Sequence, residues 1–108
     1  MEGVDITLPC KYNTLNDIGV EWYKLTELGG RIRIIKSFND RIRTAGQYRN
    51  RVYLDTNEGN GSLTMRAIQT SDAGRYECSV SVGNNLNGVS HLTLQVRCLI
   101  QLFSRTRL

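Results

Sequence analysis

Apolar and polar positions alternate with a period of two along most of this chain, the pattern of strands that bury one face and wet the other. Ile6, Leu8, Cys10 and Tyr12 form the first such series, and Pro9 inside it marks a strand near a sheet margin. Residues 13–19, rich in Asn, Asp and Gly, read as a loop. A strand follows over 20–25, with Val20, Trp22 and Lys24 on one side and Glu21, Tyr23 and Leu25 on the other. Gly29 and Gly30 turn the chain into a strand over 31–38 that carries three Ile and a Phe among basic residues. Residues 39–50 carry a weak signal, with Ile42, Ala45 and Tyr48 as anchors for a short ribbon and loop. Val52 and Leu54 alternate inward over 51–55, residues 57–61 turn, and Leu63 and Met65 alternate over 62–68. Tyr76, Cys78 and Val80 share one face of the next strand, Leu92, Leu94 and Val96 share one face of the last, and residues 83–88 read as a polar loop between them. Seven or eight short strands with turn chemistry between them and no helical period predict an all-β sandwich, although a barrel satisfies the same periodicity.

Length and composition bound this picture. A chain of 108 residues holds one hydrophobic core, and 40% hydrophobic with 22% charged residues is ordinary for a globular domain. Its longest apolar run, around Cys98 and Ile100, is far shorter than the roughly 20 residues of a membrane-spanning helix. Cys10 and Cys78 lie far apart in strand-like segments, which suits one bridge between two sheets better than a metal site, since no Cys or His stands at zinc-ligand spacing from either. Such a bridge implies an oxidising, extracellular compartment.

Cys10, Trp22 twelve residues on, and the run Asp72-x-Gly74-x-Tyr76-x-Cys78 form a constellation in which each member has a physical role. In a sandwich the two cysteines are expected to face each other between the sheets with the indole packed on their bond, and Tyr76 stands where a hydroxyl can reach back to upstream backbone. With these residues the chain resembles the immunoglobulin superfamily, and the variable type in particular, over residues 3–97. The stretch GSLTMRAIQTSDAGRYEC at 61–78 is similar to the family's E strand, E–F turn and F strand. The resemblance implies a β-sandwich of two antiparallel sheets with Greek-key connections, a Cys10–Cys78 disulfide, Leu8, Trp22, Leu63 and Tyr76 in the core, and an Arg51–Asp72 ion pair. It places the domain at 1–97 and leaves 98–108 as tail or linker. Two departures stand out. Only nine residues precede Cys10, so strand A is expected to be missing or reduced, and Leu-Asn-Gly-Val at 86–89 replaces the Phe-Gly-x-Gly of antigen-receptor domains. The second departure favours adhesion and receptor ectodomains, such as the junctional adhesion and coxsackievirus-adenovirus receptor families, over an antigen-receptor-like domain.

Candidate functional residues fall into three groups. The face opposite the core presents Glu21, Tyr23, Leu25, Lys36, Glu77, Ser79, Ser81 and His91, a surface suited to a protein partner or a second copy of the chain, with acids facing bases across a two-fold axis. Arg31, Arg33, Arg41 and Arg43 belong to a stretch holding half of the chain's 14 Lys and Arg, so the net charge of +4 is a local patch that could bind an anionic microbial or matrix glycan. Few aromatics accompany these bases, and nucleic acid is not expected. Asn60 begins an Asn-Gly-Ser glycosylation pattern, equally a hairpin turn. Cys98 is a candidate free or intermolecular thiol. The single His has no companion for catalysis or metal binding, so no enzyme activity, metal or cofactor is expected.

Overall fold

The computed structural model describes residues 3–13, 17–39, 41–55, 57, 59–83 and 85–96, together with the backbone of 100–107. These residues form nine strands: β1 (Ile6–Leu8), β2 (Ile18–Leu25), β3 (Arg31–Phe38), β4 (Arg41–Thr44), β5 (Val52–Leu54), β6 (Leu63–Met65), β7 (Gly74–Val82), β8 (Asn85–Val96) and β9 (Ile100–Arg107). Every pairing is antiparallel, in a three-stranded sheet of order β1-β6-β5 and a six-stranded sheet of order β4-β3-β2-β7-β8-β9. Among the described residues β1 is an edge strand of its sheet.

Inward-facing residues of the two sheets fill the space between them. Leu8, Trp22, Leu63, Tyr76 and Cys78 are fully buried, with Ile34, Met65, Leu92 and Leu94 around them. The Cys10–Cys78 disulfide crosses this core from the end of β1 to β7, joining residues 68 apart in sequence. Trp22 stands opposite Cys78 in the β2–β7 register. Its indole Nε1 donates to the Gly61 carbonyl at 2.7 Å, which satisfies the ring's single donor inside the core. Gly61 permits that approach, since a Cβ there would come within 2.9 Å of Val20 Cγ1.

A second anchor closes the lower end. Arg51 donates to both oxygens of Asp72, at 2.8 and 3.2 Å, and Asp72 also accepts the Gln69 N–H at 2.8 Å. The Tyr76 hydroxyl donates to the Asp72 carbonyl, so two side chains and one backbone N–H converge on Asp72 in the turn before β7. Burial holds that phenol far above its ordinary pKa, so it stays a donor.

Three parts of the chain differ from the sequence expectation. The weak stretch 39–50 opens with a defined hairpin: Phe38 pairs with Arg41, and Asn39 takes a left-handed φ of 48° that Asn tolerates better than most residues. Residues 83–88, expected as a loop, are mostly strand, because Val82 already pairs with Asn85 and Gly83 turns the chain at a φ of 58°. Residues 98–108, expected to trail beyond the sandwich, include β9, which pairs with β8 from Val89↔Arg107 to Val96↔Ile100. An open β8 edge offers a row of unpaired backbone donors and acceptors, and the tail satisfies them.

Candidate interaction face and its relatives

The solvent side of the six-stranded sheet is built in cross-strand rows. One row runs Lys36, Glu21, Ser79, Val89 and the next Arg33, Tyr23, Glu77, His91. All eight residues expected on this face are on strands of this sheet, and alternation alone puts seven of them there. Lys36 needs more. A bulge opposite Trp22 and Tyr23 lets both Ile34 and Ile35 turn inward, and that extra residue returns Lys36 to the row of Glu21.

Charges on this face are met within the chain. Glu21 takes the Tyr23 hydroxyl and the Arg33 guanidinium at 3.2 Å, with Lys36 at 3.8 Å. Glu77 takes Arg31 at 2.9 Å and His91 at 3.1 Å. Arg31 also lies 4.3 Å from the Tyr23 ring centroid and Arg33 5.9 Å, within cation–π range. Partial burial, with Glu21 beside it, raises the Tyr23 pKa. Exposed ion pairs of this kind add little to stability. Their effect is positional: Tyr23 is held beside Arg31 and Arg33, whose charges are met by Glu77 and Glu21.

The expected complementarity of acids on one copy and bases on another is therefore largely spent in cis. The four-arginine patch divides for the same reason. Arg31 and Arg33 belong to the tyrosine cluster, whereas Arg41 and Arg43 are exposed on the edge strand β4 and pair with no acid among the described residues.

Beside the cluster lies a depression of about 570 Å³ that sequence reasoning missed. Gly19, Glu21, Tyr23, Phe38, Ser81 and Leu86 are among the residues that line it. Gly19 has no room for a side chain, since a Cβ would come within 2.7 Å of Ser81 Oγ. A glycine inside a strand is the sequence signal for such a close approach, but residue 19 reads there as the end of a loop.

Asn60 is engaged rather than free. Its Nδ2 donates to Asp55 at 2.6 Å and its Oδ1 accepts from Ser62 N and Oγ, at 3.0 and 2.6 Å. Ser62 Oγ in turn accepts the Cys10 N–H at 3.1 Å, so the sequon is tied to the disulfide, and a glycan on Nδ2 would compete with the Asp55 bond. Cys98 lies outside the described residues.

The immunoglobulin V-set domain family model matches residues 1–99. Human cell surface A33 antigen is 30% identical over 105 residues, covering 92% of this chain and 33% of that protein. Bovine versican core protein is 35% identical over 86 residues, 71% of this chain and 2% of its own length. Chicken V-set and immunoglobulin domain-containing protein 1 is 25% identical over 103 residues, 92% of this chain and 31% of its own length. The chain thus spans a third or less of these relatives. Among solved structures, the extracellular domain of the voltage-gated sodium channel β4 subunit, described as a parallel homodimer with a role in cell–cell adhesion, superposes with a TM-score of 0.69 at 24% identity, covering 88% of this chain and 84% of that one. The human B7-H4 IgV-like domain superposes with a TM-score of 0.70 at 24% identity, covering 85% and 84%. Family match, disulfide, buried tryptophan and tyrosine corner converge, and the chain belongs to the immunoglobulin V-set family.

Proposed function

We propose that this domain is an extracellular recognition module that binds a protein, in the first instance a second copy of itself, through the solvent side of β3, β2, β7 and β8. The observation that carries the reading is the Tyr23 cluster, an aromatic ring within cation–π range of two arginines beside a depression. Tyr and Arg are the residues on which binding energy concentrates, and a side chain already fixed in place loses less freedom on association. Neutralisation of Glu21 and Glu77 within the chain removes the cost of bringing bare carboxylates into an interface. Likeness to adhesion and cell-surface relatives supports the same reading. No constellation among the described residues supports catalysis.

Tyr23→Ala is expected to weaken self-association about 30-fold, the loss of a hot-spot contact of about 2 kcal/mol, with the melting temperature shifted by only a few degrees. Sedimentation equilibrium measures it, and a monomer–dimer balance unmoved by the substitution refutes the reading.

A second reading rests on Arg41 and Arg43, which pair with no acid among the described residues and sit on an exposed edge. They suit a sulfated or otherwise anionic glycan. Retention on heparin is then expected to fall steeply between low and physiological salt and to drop further in Arg41→Ser/Arg43→Ser. Retention indifferent to both removes this reading.

A further inference from the structure

Asn60 begins the chain's only Asn-x-Ser/Thr tripeptide, and the fold puts that tripeptide where a turn reading would not. The turn closes before it: the Asn60 N–H donates to the Asn57 carbonyl at 2.9 Å, and Lys11 pairs with Asn60 in an isolated bridge. From there the tripeptide runs between two neighbouring segments. The Gly61 N–H donates to the Cys10 carbonyl at 2.7 Å on one side, and the Ser62 carbonyl accepts the Asp55 N–H at 2.9 Å on the other. Trp22 holds the Gly61 carbonyl from within the core. Gly61 is buried and Ser62 is 3% exposed. The two groups that define the pattern are spent as well. Asn60 Nδ2 is donated to Asp55, while the Ser62 hydroxyl donates to Asn60 Oδ1 and accepts the Cys10 N–H.

We propose that Asn60 is an N-glycan acceptor only until the segment around Cys10 closes on it, so that folding shuts the site and a domain that folds first stays without the sugar. This rests on the extracellular part of the reading above and on none of its binding claims. Transfer joins Nδ2 to the anomeric carbon of an oligosaccharide carried on a polyprenyl pyrophosphate. The new N–C bond forms, the bond from that carbon to the pyrophosphate oxygen breaks, the pyrophosphate leaves with the electron pair, and Nδ2 gives up one of its two protons. The transferring enzyme must reach Nδ2 and read the hydroxyl two residues on. In the folded chain that requires breaking the Cys10 and Asp55 pairings on both sides of the tripeptide and taking from Trp22 its acceptor inside the core. An opening of that extent approaches unfolding of the whole domain. The Cys10–Cys78 bond, once formed, ties the closing segment to β7.

Purified oligosaccharyltransferase with its lipid-linked donor tests the gate on three substrates. They are the disulfide-bonded chain, the same chain reduced and alkylated at its cysteines, and the disulfide-bonded Leu28→Asn/Gly30→Ser variant. That variant carries a second Asn-x-Ser pattern on the β2–β3 turn, where Leu28 is 100% exposed. Peptide mass mapping reads which asparagine gains the glycan. The alkylated chain is expected to be modified at Asn60, and the bridged chain more than about 100-fold more slowly, since it reacts only through rare opening. The folded variant should take the sugar on its turn and not on Asn60. A bridged chain modified within about threefold of the alkylated one overturns the gate, because the folded site is then open. An alkylated chain left unmodified overturns Asn60 as an acceptor. A folded variant that refuses the turn pattern as well puts the barrier outside the Cys10 pairing, and that also overturns the proposal. None of these outcomes bears on protein binding by the six-stranded face, which Tyr23→Ala measures separately.

Discussion

Replacing Cys10 and Cys78 by alanine is expected to lower the unfolding free energy by about 4 kcal/mol, a large share of what a domain of this size has. The bond joins residues 68 apart, and closing so long a loop removes many conformations from the unfolded chain. Both sulfurs are buried, at 2% and 0% exposure, with Trp22 beside Cys78 in the adjoining strand, so the double substitution also leaves unfilled space in the best-packed layer. Urea titration monitored by Trp22 fluorescence gives the result as a lower midpoint. The slope should fall for the bridged form, whose unfolded state is more compact. Burial adds a kinetic consequence. A thiol reductant should act on the native protein no faster than the domain opens. A double variant within 1 kcal/mol of the parent would show that the bridge is not the constraint the fold depends on.

Most of the fold was legible because its determinants are local and repeated. Period-two alternation located β1, β2, β3, β5, β6, β7 and β8, and the Cys10, Trp22, Tyr76, Cys78 constellation chose a sandwich over a barrel. Hairpins were harder. The β3–β4 turn includes Asn39 in a left-handed conformation, and the β7–β8 turn follows Gly83 at positive φ inside a polar run that reads equally as a loop. Pairing of the tail to β8 leaves no trace in its composition, because edge pairing depends on where a segment emerges rather than on what it contains.

The candidate interaction face was legible by position and not by chemistry. Alternation placed Glu21, Tyr23 and Glu77 outward, but which acid meets which base depends on cross-strand register. The bulge at Ile34 and the one at Asn87 each shift register by one residue. One returns Lys36 to Glu21 and the other exposes Leu86. A one-residue slip reverses every side chain beyond it, so features that depend on bulges are the first to escape a reading based on period. His91 shows the same limit, since it has no partner within its own strand and finds Glu77 on the next.

Arg51→Met is expected to cost about 3 kcal/mol and to change how stability responds to acid. Asp72 is 7% exposed, and its carboxylate is held by Arg51 and by the Gln69 N–H. Burial pushes its pKa up, but the Arg51 hydrogen bonds, the backbone donor and the Arg51 charge together outweigh burial and hold it below the ordinary 3.8. Removing the guanidinium leaves a buried carboxylate with one donor, the costly way to break such a pair. Because Arg51 itself reaches solvent, the loss should fall at the low end of the range for buried pairs. A carboxylate whose folded pKa lies below its unfolded value stabilises the fold in full above the unfolded value, and that stability is lost as pH falls from about 4 through the folded pKa. Arg51 stays charged throughout, so the acid limb belongs to Asp72. Asp72→Asn, which keeps an acceptor for Gln69 and Arg51 but cannot titrate, should therefore be less stable than the parent at about pH 7 and lose less between about pH 5 and pH 2. Melting temperatures across that range measure the difference. Parent and Asp72→Asn curves that stay parallel below about pH 4 would show that the pair does not couple protons to folding, and would leave Tyr76 and the disulfide to hold that end of the sandwich.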